Sequence, residues 1–386
     1  MNKGKFLWIL PYYPYPPVTG GNVRIYNLIR NLSDYYSIHL LAYYDAEPEE
    51  LHVKALEEFC DNVTLVKREE KEGKLPLIFQ YYTTDAMTEC IKECLKERYD
   101  FVQIDFLTMA YYVSMIKEMS SVPVFFTEHD VSSFYFDKCF HNRHLGEKER
   151  YVEWVKMRDV MDRIYGMFDT IFTVSHNDAA ILREKLKRDD IYAAPTGTDC
   201  AYYAYRPGHD ANDLVFVGHF LHYPNVDSVR YLVDDVMPLL EKEFPDICLN
   251  VVGSGGRKVL EEMEKYRVRV TGTVPDIRPY LYSSIVFAAP IRMGIGIRGK
   301  ILEAMACGLP VVTTPLGAEG IGAAADENIL IAEDASEFSS HVARIIRDET
   351  LRKSLAENAR RFVEDNYDWS VITEDIVSLY AEVLKR

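Results

Sequence analysis

The chain has 386 residues, 48% of them hydrophobic and 27% charged, with a formal net charge of −16. That length exceeds one ordinary core and suggests two domains of about 150–200 residues each. The acidic balance argues against non-specific binding to nucleic acid, which needs a basic surface, but it leaves room for a small anion held in a local basic pocket.

Residues 1–18, MNKGKFLWILPYYPYPPV, carry an apolar run too short and too broken by proline for a signal peptide or a membrane span. No run of about 18 apolar residues occurs elsewhere. The expectation is a soluble, cytoplasmic protein, with peripheral contact at the inner face of a membrane left open. The seven cysteines, Cys60, Cys90, Cys94, Cys139, Cys200, Cys248 and Cys307, form no CxxC pair and read as reduced thiols, not as a zinc site or disulfide framework.

Taken in chain order, KFLWILPYY reads as a strand and NVRIYNLIRNLS as a helix, with Gly20 and Gly21 just ahead of it. Those glycines read either as a close backbone approach to a ligand or as an ordinary turn. YSIHLLAYY is a strand, ELHVKALEEFC a helix, and NVTLVK, DFVQIDF, VPVFFTEH and DTIFTVS are further strands. This alternation implies a parallel sheet covered on both faces. His129 and Asp130 stand at the end of VPVFFTEH and the start of the next loop, where His129 reads as a site residue or as a loop-stabilising one. Asp130 reads as a helix cap or a support for His129, and Ser175 as a helix cap. The segment 140–159 mixes basic and aromatic residues and reads as a surface near an anionic acceptor or a membrane, or as a solvated helix face.

At PTGTDCAYYAYRPGHDAND, residues 195–213, the alternation pauses in a linker. It restarts with the strand DLVFVGHF, the helix PNVDSVRYLVDDVMPLLEKEF and the strands ICLNVVGSGG, YRVRVTGTV, SSIVFAAP and LPVVTT. A terminal stretch from residue 336 onward is helical, with one break near Asn366–Asp368. The expected fold is α/β: two Rossmann-like, doubly wound parallel-sheet domains facing across a cleft. Residues 1–200 form the first, residues 201–365 the second, and residues 366–386 a helix packing back on the first. Ligands of such sheets bind beyond the carboxyl ends of the strands.

The stretch APIRMGIGIRGKILEAMACGLPVVTT, residues 289–314, poses the sharpest question. A glycine loop with Gly294 and Gly296 leads into a helix that begins near Arg298 and Lys300, with Arg292 close by. Cations at a helix N-terminus are electrostatically misplaced. They make sense if a diphosphate sits between them, where charge-assisted bonds outweigh the dipole. Glu303, one turn further, can accept bonds from vicinal hydroxyls such as those of a ribose; the plainer reading is a bond to nearby backbone N–H groups.

KILEAMACGLPVVTT resembles the donor-site signature of GT-B glycosyltransferases of family 4, which are retaining enzymes using a nucleotide-sugar donor. PYYPYPPVTGGNVRIYNLIRNLS is similar to their first glycine loop and helix. LVFVGHFLHYPNVDSVRYLVDDVMPLL, NVVGSGG and VTGTVPDIRPYLYSSIVFAAPIR follow the family's order. The resemblance implies a hexosyltransferase, metal-independent because no Asp-x-Asp occurs, with no cofactor beyond its UDP- or GDP-sugar substrate. The implied acceptor is a carbohydrate or lipid-linked glycan, in cell-surface polysaccharide synthesis. His129, Arg298 and Lys300 are the catalytic candidates. Gly20, Gly21, Gly218, Arg292, Gly296, Arg298, Lys300, Glu303 and Glu319 are the donor-binding ones, Glu319 lying in PLGAEGIG, residues 315–322. The sequence departs from the family at Ile295, where a first glutamate usually stands. It departs again in the loop GHFLHYPN, which lacks the usual Arg and Lys. A pattern Gly296-x-Arg298-x-Lys300 resembles a subgroup from bacterial exopolysaccharide clusters. Two other classes fit these features: a nucleotide-sugar epimerase of the two-Rossmann type, and a non-catalytic GT-B partner subunit. Donor consumption with and without acceptor separates the former from a transferase.

Overall fold

The computed structural model describes residues 3–69, 75–135, 146–206, 213–255, 267–294 and 296–386. Cys139, Ile295, Gly256 and residues 140–145 of the basic-aromatic segment lie outside them. The described residues divide into two compact units: residues 1–196 with 372–386, and residues 197–371.

The first unit is built on β1 (Gly4–Leu10), β2 (Tyr36–Tyr44), β3 (Asn62–Lys67), β4 (Phe101–Asp105), β5 (Val124–Glu128), β6 (Thr170–Thr173) and β7 (Ile191–Ala193). They pair in parallel in the order β3-β2-β1-β4-β5-β6-β7. Helices cover both faces of such a sheet, so its central strands are continuous apolar runs; Phe6 to Leu10 are all buried. The strand order reverses between β1 and β4, and the crevice outside their carboxyl ends is where ligands of this topology bind. The β1 end leads to the Gly20–Leu32 helix, capped by Thr19, whose Oγ1 accepts from the Asn22 amide. The β4 end carries Asp105.

The second unit repeats the plan with β8 (Leu214–Val217), β9 (Leu249–Val252), β10 (Val268–Gly272), β11 (Val286–Ala289), β12 (Val311–Thr313) and β13 (Leu330–Ile331). The parallel order is β10-β9-β8-β11-β12-β13. Its reversal falls between β8 and β11, so the loop beginning at Gly218 and the loop beginning at Pro290 flank the switch point.

Two short strands, β7 and β13, were not anticipated in the sequence. The expected helix over 224–244 is interrupted: Tyr223–Tyr231 is α-helical, Leu232–Val236 is a π-turn, and Met237–Leu240 resumes the α-helix. The terminal helical stretch has a second break, because Asp348 leaves the helix to cap the next one, its Oδ1 accepting from the Leu351 amide at 2.9 Å. The expected break occurs at Asp368, which accepts from the Ser370 amide at 2.9 Å. The helix that follows, Trp369–Val383, carries Tyr380 into an aromatic cluster of the first unit, 4.8 Å from the Phe101 ring and 5.4 Å from that of Phe172. No helix among the described residues is long and apolar enough to cross a membrane.

Candidate active site

In the second unit, the loop after β11 turns through Gly294 and Gly296, both at positive φ (108° and 86°), into the Gly299–Ala306 helix. No side chain caps that helix, and its first turn holds no acid. Arg298 is the N-cap residue, and its Nη1 donates back to the Gly296 carbonyl at 2.6 Å. Burial lowers its pKa and Glu319 opposes that shift, so Glu319 faces Arg298 electrostatically. Lys300 sends Nζ to the Asn225 side-chain carbonyl at 2.6 Å and lies over the Phe216 ring at 4.7 Å. Among the described residues no carboxylate forms an ion pair with it. Burial brings the Lys300 ammonium down to about 8; Glu303 opposes the shift and Arg298 adds to it.

Glu303 points into the same region. Burial raises its pKa, while a hydrogen bond donated by the Tyr203 hydroxyl and the Lys300 charge act to keep it ionised. Tyr203 is held from behind by Arg360, whose Nη1 bonds the Tyr203 carbonyl at 2.7 Å and the Ala306 carbonyl at 2.6 Å. Arg292 is differently placed from what its sequence position suggests. Its Nε and Nη2 bond Asp227 at 3.0 and 2.7 Å, and its guanidinium lies 4.4 Å from the Tyr231 ring centroid. Much of its charge is thus met within the protein, so a phosphate role for Arg292 must compete with Asp227.

The loop after β8 completes this side. A Cβ on Gly218 would sit 2.9 Å from the Asn225 side chain, and one on Gly253 (φ +139°) only 1.9 Å from the Gly218 carbonyl oxygen. The two turns therefore meet backbone to backbone, which only glycine allows. Asn225 links the loop to Lys300 by donating Nδ2 to the His219 carbonyl at 2.8 Å. Glu319 is exposed at the end of the Pro315–Ala318 turn.

In the first unit, a different arrangement occupies the switch point. Asp105 is buried at the end of β4. Its Oδ1 accepts from Trp8 Nε1 at 2.8 Å and Gln103 Nε2 at 3.0 Å, and its Oδ2 from His129 Nε2 at 2.8 Å. His129 stacks on Phe106, centroids 3.7 Å apart and rings within 14° of parallel. Burial lowers its pKa, Asp105 opposes that, and Arg24 adds to it. With Nε2–H given to Asp105, Nδ1 keeps its lone pair. The support for His129 is thus Asp105, which reading along the sequence had not singled out. Beside it, Glu128 is buried and its pKa is pushed up to about 8 by burial, with Tyr165 donating to its carboxyl group. Gly21 is closed by Tyr12, whose Oη would lie 2.2 Å from a Cβ; Gly20 has open space around it. Ser175 is a cap, its Oγ accepting from the Asp178 amide at 3.0 Å.

Asp105, Asn225, Tyr203, Asp227 and the histidines of the β8 loop are the groups that sequence reasoning missed. The first stood inside a strand, and the others carry no motif.

Both units match known families. A model described as Glycosyltransferase Family 4 matches residues 18–202, and one described as Glycosyl transferases group 1 matches residues 211–348. The chain belongs to the group 1, family 4 type of glycosyltransferases, and its fold is GT-B. An uncharacterised 44.6 kDa protein in the cps region of Klebsiella pneumoniae is 26% identical over 381 residues, 92% of this chain and 94% of that one. A phosphatidyl-myo-inositol mannosyltransferase of Propionibacterium freudenreichii is 31% identical over 150 residues, only 37% of either chain. In fold, the chain is similar to Anabaena HepE in complex with UDP, with a TM-score of 0.70 at 14% identity, covering 98% of this chain and 100% of that one. A sucrose-phosphate synthase of Thermosynechococcus elongatus gives 0.70 at 16% identity, covering 99% of both.

Proposed function

We propose that this glycosyltransferase is a retaining, metal-independent enzyme that moves a hexose from a UDP- or GDP-sugar to a glycan or lipid-linked glycan. The observation that carries the reading is the desolvated Lys300 ammonium. It is held by the neutral carbonyl of Asn225, beside Arg298 and the uncapped start of the Gly299–Ala306 helix. A cation held so, with N–H groups beside it, suits a diphosphate. Glu303, with one hydrogen bond from Tyr203, has acceptor capacity left for the ribose hydroxyls. Bond breaking at the anomeric carbon puts charge on the departing diphosphate, and fixed cations and N–H groups at that point lower the barrier. His129, oriented by Asp105 through Nε2, offers a hydrogen-bond acceptor at Nδ1 and is the residue we assign to the reaction from the first unit. The acceptor attacks from the face that the diphosphate leaves.

The cps-region relative supports a role in surface polysaccharide synthesis, and the UDP complex of the structurally similar HepE supports a nucleotide donor. A transfer assay on metal-stripped protein in EDTA, run with a panel of UDP- and GDP-sugars and glycan acceptors, tests the reading. Nucleoside diphosphate release with retention of anomeric configuration, read by NMR, is expected. Inversion refutes the stereochemistry. Activity restored only by Mn²⁺ or Mg²⁺ refutes metal independence.

A further inference from the structure

The loop GHFLHYPN lacks arginine and lysine, yet it brings two imidazoles to the cation cluster. His219 and His222 are both exposed. The His219 ring is set by Nδ1, 2.7 Å from Ser254 Oγ in the facing turn. Its carbonyl takes one hydrogen bond from the Asn225 side chain and another from the His222 amide at 3.1 Å, so the loop is tied to the residue that holds Lys300. His222 is the N-cap of the Tyr223–Tyr231 helix and makes no side-chain capping bond there. Gly255, in the facing turn, packs against this loop so closely that a Cβ would lie 2.8 Å from Leu221 Cγ and 3.4 Å from His219 Cε1. The loop is thus fixed in place with its imidazoles outward.

We propose that His222, with His219 beside it, is a ligand of the donor's diphosphate and binds it in the protonated, cationic form. This rests on the reading of the second unit as the nucleotide-sugar site. The charged and titratable groups that act on His222 are Lys300 and Arg298, at the start of the neighbouring helix, and His219 on its own loop. Partial desolvation and those positive neighbours hold the His222 imidazole below its usual range, which favours the neutral ring in the ligand-free protein. A diphosphate reverses the sign of the surrounding field, and the ring then takes a proton from solvent. Donor binding therefore consumes a proton at this loop. A nucleotide-sugar's diphosphate is esterified at both ends and exchanges no proton near neutrality, so the uptake belongs to the protein.

Calorimetric titration with UDP-glucose and GDP-mannose, at pH 6.5 and 8.5 in HEPES and in imidazole buffer, tests this. The apparent enthalpy at pH 6.5 should differ between buffers in proportion to their ionisation heats, in the sense of proton uptake. His222→Gln should abolish that difference and weaken binding roughly tenfold at pH 6.5, with a smaller loss at pH 8.5. Lys300, with its pKa near 8, is already charged at pH 6.5 and does not contribute to the uptake there. An unchanged melting temperature of the variant establishes that an exposed side chain, not the fold, was lost. If wild type binds without proton uptake, or His222→Gln retains both uptake and affinity while Lys300→Ala loses binding, the histidine assignment falls alone. If neither sugar nucleotide, nor UDP, nor GDP binds, the donor-site reading falls and takes this proposal with it.

Discussion

At the switch point of the first unit, one buried carboxylate, Asp105, is met by three N–H donors, and an aromatic ring clamps the histidine it orients. At the corresponding point of the second unit, Lys300 and Arg298 act together on His222, and the Asn225 side chain ties the loop that carries it to Lys300. The topology is the same; the electrostatics are opposite. The first network satisfies itself and reads as a device for holding one side chain still. In the second, desolvation and the Arg298 charge act against the Lys300 cation, which is the electrostatic ground of the diphosphate role proposed for it.

The comparison breaks most readily at Lys300. Losing one hydrogen bond to a charged group costs about 1.5–3 kcal/mol, or roughly 10- to 150-fold in affinity. Lys300→Ala should therefore weaken nucleoside diphosphate and nucleotide-sugar binding on that scale while leaving nucleoside binding nearly unchanged. Glu303→Ala should weaken all three, since the ribose is common to them. Calorimetric titration of both variants checks the pair; wild-type diphosphate affinity in Lys300→Ala would remove the phosphate from this helix.

Asp105→Asn probes the other side. The amide offers an N–H toward His129 Nε2 and disturbs the tautomer, so turnover should fall at least roughly tenfold while the donor dissociation constant stays put. The melting temperature should also drop, because the buried donors of Trp8 and Gln103 lose a charged acceptor. Equal loss of donor binding would show that the two networks are not separable in the way described.

How much of this was legible beforehand follows from the same contrast. YSIHLLAYY coincides with β2, because a parallel strand buried on both faces is a nearly continuous apolar run, and NVTLVK with β3, an edge strand whose valines and leucine are interspersed with polar residues. The glycine loop and its cations stood out because they contradict the helix dipole. Asp105 did not stand out, since a carboxylate inside DFVQIDF looks like any strand-end polar residue until Trp8, 97 positions away, is seen to bond it. Strands of two or three residues such as β7 and β13 are too short to show a period, and the π-turn at Leu232–Val236 inserts into a run whose helical pattern is otherwise unbroken.

Stability gives a smaller effect of opposite sign in the two regions. Lys300→Met removes a cation that burial penalises, so the ligand-free protein should gain about 2–4 °C in melting temperature, even as donor binding is lost. A fall would mean that the Asn225 hydrogen bond outweighs the desolvation. The smallest effect belongs to Glu128. Its folded-state pKa is raised to about 8, so between the ordinary carboxylate range and that value the folded chain keeps a proton the unfolded chain has lost. Stability from this group is present at low pH and declines as pH rises through the window. Glu128→Gln should flatten the decline of melting temperature between pH 5 and 8.5; an unchanged slope would mean that Glu128 is ionised in the fold.

The Trp369–Val383 helix has a consequence for how the protein is made. Tyr380 lies among Phe6, Phe101, Phe125 and Phe172, and its hydroxyl reaches Gln103 Oε1 at 3.3 Å. Residues 372–386 leave the ribosome only after all of residues 197–371 have been synthesised. The first unit must therefore wait, with an aromatic face uncovered, while the second unit is translated and completes its own core. A nascent chain of this kind exposes apolar surface for the longest time at its beginning, where a chaperone would be expected to hold it. A fragment ending at residue 196 would keep that face bare, and its solubility should be recovered by adding residues 369–386 as a separate peptide.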